Sequence, residues 1–160
     1  MNRPRLSLLT AITLVTLLLT ACNGTDCVIN NTVRATALFY SEEGRPVQVT
    51  DTLTVSVCRP QGDSIILNRK RGATEFTFPL SYGGEVDTMV LHFAYGVKDS
   101  LFIRHDNTPY FVSLDCGTAM FHRITDVRCS HRLLHSVVIS EPQVNYNEQE
   151  NLQILFRAAD

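Results

Sequence analysis

The sequence predicts an all-β protein: an antiparallel, immunoglobulin-like β-sandwich of about nine or ten strands that follows a cleaved signal peptide. Three observations predict it. Short stretches alternate apolar and polar residues with a period of two, and turn-forming residues separate these stretches about every 8–12 residues. After the N-terminal segment, the chain shows no sustained 3.6-residue period.

Five stretches carry the alternation most clearly. In Thr52–Val57, the apolar residues Leu53, Val55 and Val57 fall on one side of a strand, where they should face a core. The other apolar sets are Phe76, Phe78 and Leu80; Met89, Leu91 and Phe93; Tyr110, Val112 and Leu114; and Leu152, Ile154 and Phe156.

Gly, Pro, Asn and Asp mark the reversals between these strands. The predicted turns are Glu42–Pro46, Arg59–Asp63, Tyr82–Glu85, Arg104–Pro109 and Asp115–Thr118. The segment HRITDVRCSHRLLHSV leaves a short helical turn open as an alternative to strand.

Composition excludes two broad classes of protein. The 160 residues are 44% hydrophobic and 19% charged, with a net charge of −2, which is unlike a disordered tail or a basic nucleic-acid binder. The largest basic cluster is the three residues Arg69–Arg71, which is typical of a solvated turn. No nucleic-acid partner is predicted.

The N-terminus has the pattern of a lipoprotein signal peptide. Arg3 and Arg5 precede an uncharged apolar run that is too short for a comfortable transmembrane helix, which needs about 20 residues. The run ends in LTAC, which matches the bacterial lipoprotein cleavage box. The alternative is an ordinary signal peptide cut after Ala21.

This pattern divides the chain into a signal peptide (1–21), a lipidated Cys22 with a short tether (22–30) and one sandwich domain (31–160). Several acyl chains on Cys22, palmitate among them, would hold the protein stably on a membrane. Removal of the signal peptide leaves 12 basic and 16 acidic residues, so no polybasic patch contributes to anchoring.

Export places the remaining cysteines in an oxidising compartment. Cys27, Cys58, Cys116 and Cys129 are an even number, which predicts two disulfides with three possible pairings. A local Cys116–Cys129 bridge across a hairpin is one of them.

A short pattern recurs along the chain. Asp followed by Ser or Thr and then an apolar residue begins at Asp51, Asp63, Asp87 and Asp99. Each occurrence falls where a turn enters a strand, and Asp suits such turns because it hydrogen-bonds nearby backbone. The residues between the occurrences share no further identity, so the pattern is not an internal repeat.

Several stretches together resemble a family of small, uncharacterised Bacteroidetes lipoproteins. They include the cleavage box, CVINNTVRATALFY, DTLTVSV, DSLFIRHDNTPYFVSLDCG and the terminal ENLQILF. The resemblance implies compartment and fold but no activity. It also implies a Cys27–Cys116 disulfide, because these two cysteines match the family's pattern, and leaves Cys58 and Cys129 for a second bridge.

The same resemblance gives the recurring pattern a second interpretation. Bacteroidetes attach O-glycans to Ser or Thr in this Asp-Ser/Thr-apolar context, so the candidate acceptors are Thr52, Ser64, Thr88 and Ser100. Surface-exported lipoproteins of this phylum carry acidic residues after the lipidated Cys. Here only Asp26 follows closely, which favours a domain on the outer membrane facing the periplasm.

Patterns typical of catalysis or metal binding are weak. Cys129, His131 and His135 have ligand-like spacing with His122 upstream, but on a strand His131 and His135 lie about 13 Å apart. His92 and His105 have no local partner pattern, and no GxSxG motif is present. No catalytic residue, metal or cofactor is predicted.

The predicted function is therefore that of a non-enzymatic cell-envelope lipoprotein that binds another envelope protein. The alternatives are a small-ligand or glycan-binding module, marked by an exposed patch of two or three tyrosines, and an envelope hydrolase. A buried histidine–acid pair in a cleft would mark the hydrolase.

Overall fold

A computed structural model describes residues 32–114 and 116–158. Signal peptide, Cys22, Cys27 and the tether lie outside the described residues. Ten strands follow one another: β1 (Ala35–Tyr40), β2 (Leu53–Val57), β3 (Ser64–Lys70), β4 (Glu75–Phe78), β5 (Val86–His92), β6 (Lys98–Ser113), β7 (Gly117–Cys129), β8 (Leu134–Ile139), β9 (Gln143–Val144) and β10 (Glu150–Phe156).

The strands form two sheets, which confirms the predicted β-sandwich. One sheet has four strands in the order β4-β1-β10-β8, and the other has six in the order β3-β2-β5-β6-β7-β9. Most neighbours are antiparallel, but β1 and β10 pair in parallel. The other paired strands of both sheets are antiparallel, as the sequence predicts.

The core lies between the sheets and follows the period of two. Along β1, Ala35, Ala37 and Phe39 are buried, and the alternate residues are partly exposed. On the six-stranded sheet, the buried residues include Leu53 and Val55 of β2, Met89 and Leu91 of β5, and Leu101 and Ile103 of β6. Two stacked sheets leave room for one such layer of interdigitated side chains.

The longest element, β6, corrects two predictions. Arg104–Pro109 was expected to be a turn, but it lies within β6. Tyr110, Val112 and Leu114 were expected to face the core, but Tyr110 is half exposed and Leu114 is 94% exposed. β5 pairs with β6 only as far as Arg104, so later residues of β6 have no neighbour from β5. Pro109 is tolerated there because that side of the strand is an edge.

The segment left open as a helical turn is extended. β7 runs to Cys129, a short turn follows, and β8 begins at Leu134. Asp99 of β6 holds this turn. Its carboxylate accepts hydrogen bonds from the Ser130 hydroxyl and from the backbone N–H groups of Arg132, Leu133 and Leu134.

Candidate functional site

Four buried or partly buried polar side chains form a continuous hydrogen-bonded chain across three strands. Asp87 Oδ2 lies 3.1 Å from His105 Nε2, and His105 Nδ1 lies 2.8 Å from Asn107 Oδ1. The same Asn107 oxygen lies 2.6 Å from His122 Nδ1. We call Asp87, His105, Asn107 and His122 the polar chain.

Strand register brings these residues together. His105 and Asn107 are two apart on β6, so their side chains lie on the same face. Asn107 is paired directly with His122 of β7. The register between β6 and β7 shifts between Arg104 and His105, which marks a local irregularity just where the polar chain enters β6.

The Asp87 carboxylate is the charged end of the polar chain. Burial acts to raise its pKa, but hydrogen bonds from His105 and the Ser81 backbone, together with the Arg59 guanidinium, lower the pKa from 3.8 to about 2. The Ser81 N–H donates to Asp87 Oδ2 over 2.7 Å, and Arg59 pairs with Oδ1. Asp87 is therefore an anion with both of its oxygens directed at protein groups.

The two histidines differ in how their ring nitrogens are satisfied. His105 is fully buried, and its two ring nitrogens face Asp87 Oδ2 and Asn107 Oδ1. His122 is 2% exposed, and its Nε2 finds no hydrogen-bond partner within residues 32–114 and 116–158. Burial, followed by the neighbouring charge of His105, lowers the pKa of His122 to about 4.

Asn107 joins the polar chain to the turn before β5. Its Nδ2 lies 3.1 Å from the Ser81 and Tyr82 carbonyl oxygens and 2.8 Å from that of Gly84. The turn is tight, since a Cβ at Gly84 would lie 2.9 Å from Ser81 Oγ. With its amide used in this way, Asn107 must present its oxygen to both histidines.

A cleft of about 750 Å³ opens beside the polar chain. Asp87 and Arg59 line it, together with Cys58, Ser81 and Tyr82. The Tyr82 ring stacks against the His122 ring with centroids 5.9 Å apart. Asp87 and His105 thus form a buried histidine–acid pair, the feature expected of an envelope hydrolase. The acid of this pair, Asp87, lies at the wall of the cleft.

Cys58, a thiol that lines the same cleft, is not activated as a nucleophile. A reactive cysteine needs a lowered pKa, but burial, followed by the nearby Asp63, raises the pKa of Cys58. A separate serine–histidine pair exists where Ser56 Oγ lies 3.2 Å from His92 Nε2. Across residues 32–114 and 116–158, no carboxylate hydrogen-bonds to His92, so this pair lacks the third group of a catalytic triad.

The predicted disulfides are corrected in part. Cys58 and Cys129 are free, so neither a Cys58–Cys129 nor a local Cys116–Cys129 bridge forms. Cys58 follows β2 and Cys129 ends β7, three strands away and about 14 Å across the sheet, whereas bridged Cα atoms lie within about 7 Å. Cys116 is disulfide-bonded, and its predicted partner Cys27 lies outside the described residues.

The recurring Asp-Ser/Thr pattern divides into two classes. Asp51 and Asp63 are exposed, as expected for turns entering strands, whereas Asp87 and Asp99 are buried and bind distant groups. Among the candidate acceptors, Ser64 is exposed at the start of β3, and Thr52, Thr88 and Ser100 are partly buried. Sequence spacing gave no signal for this division, because it arises from contacts 6 to 35 residues away.

The residues with ligand-like spacing do not converge on one point. Cys129 Sγ lies 3.4 Å from His131 Nδ1, but that nitrogen also faces the His135 carbonyl oxygen at 2.8 Å. His122 belongs to the polar chain instead. In the part of the chain that the structure describes, no group of three metal-type side chains comes together.

A comparison with protein families identifies the chain. The profile of a family of unknown function, DUF6452, matches residues 52–156. The chain belongs to this family. The matched region begins just before β2 and covers the polar chain and the cleft.

Neither the curated proteins nor the solved structures yield a match. Among the described residues, no helix has the length and apolar character that a membrane crossing requires. Family membership therefore supports the reading of an uncharacterised domain and supplies no activity.

Proposed function

We propose that this protein is a lipid-anchored accessory module of the bacterial cell envelope that acts by binding another envelope protein. Cys22 would carry the lipid, and the sandwich would stand on the outer membrane facing the periplasm. The apolar segment ending in LTAC supports the anchor, and the resemblance to Bacteroidetes lipoproteins supports the compartment.

One observation carries the non-enzymatic part of the proposal: Asp87, His105 and Asn107 of the polar chain are committed to internal hydrogen bonds. A general base must reach a substrate proton within about 3 Å, directly or through one water. His105 is fully buried, with one nitrogen on Asp87 and the other on Asn107. Its role is then to hold β5, β6 and the Ser81–Gly84 turn together.

The disulfide at Cys116 supports an exported location, since such bonds persist in oxidising compartments. We assign Cys27 as its partner. This bridge would fasten the segment behind the lipid anchor to the β6–β7 hairpin.

The anchor is tested by comparing the full chain with its Cys22→Ala variant in a bacterium of this phylum. The wild type should appear in the outer-membrane fraction, cut before Cys22, with the added mass of diacylglycerol and an acyl chain. The variant should lose the lipid mass. A wild-type chain cut after Ala21 with an unmodified Cys22 would overturn the proposal.

The binding role is tested by crosslinking in intact envelopes and recovery of the lipidated protein. A recurrent outer-membrane protein, recovered with the wild type and lost with substitutions on one face of the sandwich, is the expected result. Recovery of no specific partner from repeated preparations would count against the accessory role.

A small-ligand or glycan-binding role is the second candidate, and the cleft favours it. Tyr82 is half exposed at the cleft, and Arg59 adds a cation to its wall. Soluble envelope glycan fragments should then raise the melting temperature of the wild type but not of Tyr82→Ala. A Tyr95→Ala variant, which removes an exposed tyrosine elsewhere, is the matched control.

An envelope hydrolase is the third candidate and depends on the Asp87–His105 pair. It would require movement that opens His105 to the cleft. Release of products from envelope glycans or peptides by the wild type, and not by His105→Gln, would favour this candidate over the binding role.

O-glycosylation is proposed first at Ser64, because it is the most exposed of the four candidate acceptors. Intact mass should show added hexose on the wild type and its loss in Ser64→Ala. Thr88→Val is the control, since Thr88 is partly buried within β5. An unmodified mass would leave the recurring pattern as turn-to-strand chemistry alone.

A further inference from the structure

The β6–β7 hairpin extends beyond the rest of its sheet. β5 leaves β6 at Arg104, and β9 pairs with β7 only at His122 and Arg123. Residues 108–120 therefore form a two-stranded arm, and at about 3.3 Å per residue its longer strand reaches roughly 20 Å past its neighbours. We call residues 108–120 the arm.

The end of the arm is apolar and exposed. Of the ten large hydrophobic side chains exposed in the described residues, three lie within five positions: Tyr110 at 47%, Phe111 at 62% and Leu114 at 94%. Single exposed apolar residues are normal on a protein surface, but a local group of them marks an interaction site. The arm's sequence contains one charged residue, Asp115, and no Lys or Arg.

Aromatic side chains pack together at the base of the arm. Tyr110 stacks on Phe121 with ring centroids 4.4 Å apart and planes 10° from parallel, and Tyr146 packs edge-on against Phe121 at 5.2 Å. Thr32, the first described residue, forms a bridge with Met120. The rings therefore brace one face of the arm, and Phe111 and Leu114 remain in solvent.

The assigned Cys27–Cys116 bridge would join the arm to the membrane anchor. Cys116, at the arm's turn, is disulfide-bonded, and Cys58 and Cys129 are free. With the lipid on Cys22, the partner is Cys27. Cys27 lies five positions after Cys22, and this stretch spans at most about 18 Å when fully extended. The arm's turn would then lie within a short reach of the acyl chains.

We propose that the tip of the arm, formed by Phe111 and Leu114, rests in the interfacial layer of the bilayer that holds the Cys22 lipid. This inference rests on the proposed lipid anchor. Phe and Leu suit the boundary between headgroups and acyl chains. Without Lys or Arg on the arm, the contact is apolar and does not depend on anionic lipids.

Such a contact gives the protein a second point on the membrane. A single lipid tether leaves a domain free to tumble, whereas a tether and an arm fix its orientation. The short 3₁₀ turn Ala94–Gly96, which precedes β6 at the opposite end from the arm, would then point away from the bilayer. The arm, which is the far part of the long strand β6, would then decide which face of the sandwich is turned toward a periplasmic partner.

The protein contains no Trp, which allows a single reporter to be placed at will. The full lipidated chain carrying Leu114→Trp is reconstituted into phosphatidylcholine and phosphatidylethanolamine vesicles, with and without phosphatidylcholine brominated near the top of its acyl chains. Phe111→Trp is the second reporter. Tyr95→Trp is the matched control, because Tyr95 is 96% exposed at the far end of β6.

Bromine should reduce the emission of Leu114→Trp and Phe111→Trp by roughly twofold, with a blue shift, since Trp at the interface lies close to the upper acyl chain. Tyr95→Trp should keep its emission. Equal emission with and without bromine at both tip positions would overturn the inference. A blue shift without quenching would also overturn it, because it would show that a protein surface covers the tip.

The two proposals fail in different ways. A lipidated, vesicle-bound chain whose tip reporters are not quenched overturns the arm contact and leaves the anchor intact. A mature chain whose intact mass lacks lipid on Cys22 overturns the anchor and the inference that depends on it.

Discussion

Oδ2 of Asp87 on β5 lies 3.1 Å from Nε2 of His105 on β6, and neither side chain is more than 3% exposed. Arg59 completes the group from the solvent side. A buried carboxylate between two such donors is costly to disturb, because removal of one partner leaves the others uncompensated.

Asp87→Asn should lower the free energy of unfolding by about 2–4 kcal/mol, because it leaves Arg59 without its counter-charge and the buried His105 ring without its carboxylate partner. Urea unfolding at neutral pH measures this loss. Asp63→Asn is the control, since it changes the same recurring pattern at an exposed position and should cost less than about 0.5 kcal/mol. Equal effects of the two substitutions would contradict the role of Asp87.

The pH dependence of stability follows from the same carboxylate. Its folded pKa of about 2 is below its unfolded value of 3.8, so its contribution is present above pH 3.8 and is lost as pH falls toward 2. The loss should be on the order of 2 kcal/mol. In Asp87→Asn, this part of the acid-induced loss should be absent.

His122 should make the protein less stable in mild acid. Its folded pKa of about 4 is below the ordinary value of 6.5, so the unfolded state binds the proton more readily and stability falls as pH drops through this interval. We expect a loss of about 2 kcal/mol between pH 7 and pH 5. Urea midpoints at the two pH values measure it.

His122→Asn keeps a donor for Asn107 and removes the titration, so its stability should change little over this pH interval. His135→Asn is the control, because that ring is half exposed and near Glu42. A variant at position 122 that keeps the full wild-type pH dependence would show that another group titrates.

Asn107→Ala should cost about 2–4 kcal/mol, because three backbone carbonyl oxygens and two histidine rings lose their partner together. Hydrogen exchange should also speed up over the Ser81–Gly84 turn. Asn145→Ala is the matched change, since that amide accepts one local hydrogen bond from Asn147. If exchange over the turn stays at the wild-type rate, the amide does not hold it.

The sandwich could be predicted because its alternation is local. Ala35, Ala37 and Phe39 carry the information for a buried strand face within five residues. The parallel pairing of β1 with β10 could not be predicted, because the alternation of apolar and polar residues does not encode whether a neighbouring strand runs parallel or antiparallel. The two strands are 110 residues apart where Tyr40 donates to Glu150.

The polar chain could not be predicted either, because its contacts depend on the register between β6 and β7. Asn107 meets His122 because β6 ends at Ser113 and β7 begins at Gly117, whereas DCGT indicated a turn over Asp115–Thr118. A small change in turn position alters every cross-strand pair in a hairpin. The turn residues within Arg104–Pro109 also suggested that no strand passed through His105.

Asp99→Ala should destabilise the protein by about 3 kcal/mol or more, because four hydrogen bonds to the turn before β8 are lost at once. These bonds also lower the pKa of Asp99 against the opposing effect of burial, so part of the loss should appear in acid. Thermal unfolding of Asp99→Ala beside Asp51→Ala compares a buried and an exposed member of the same pattern. The exposed change should have little effect.

The cysteines give a direct count. Thiol labelling of the denatured, unreduced mature chain should find two free thiols, Cys58 and Cys129, because their strands hold them about 14 Å apart in the sheet. In the native protein, Cys58 should react faster, since Cys129 is 7% exposed and burial raises the pKa of its thiol. Cys27→Ser should release Cys116 and raise the count to three, whereas Cys58→Ser should lower it to one. A count of zero in the unreduced wild type would mean that Cys58 and Cys129 are bridged, which this strand order does not allow.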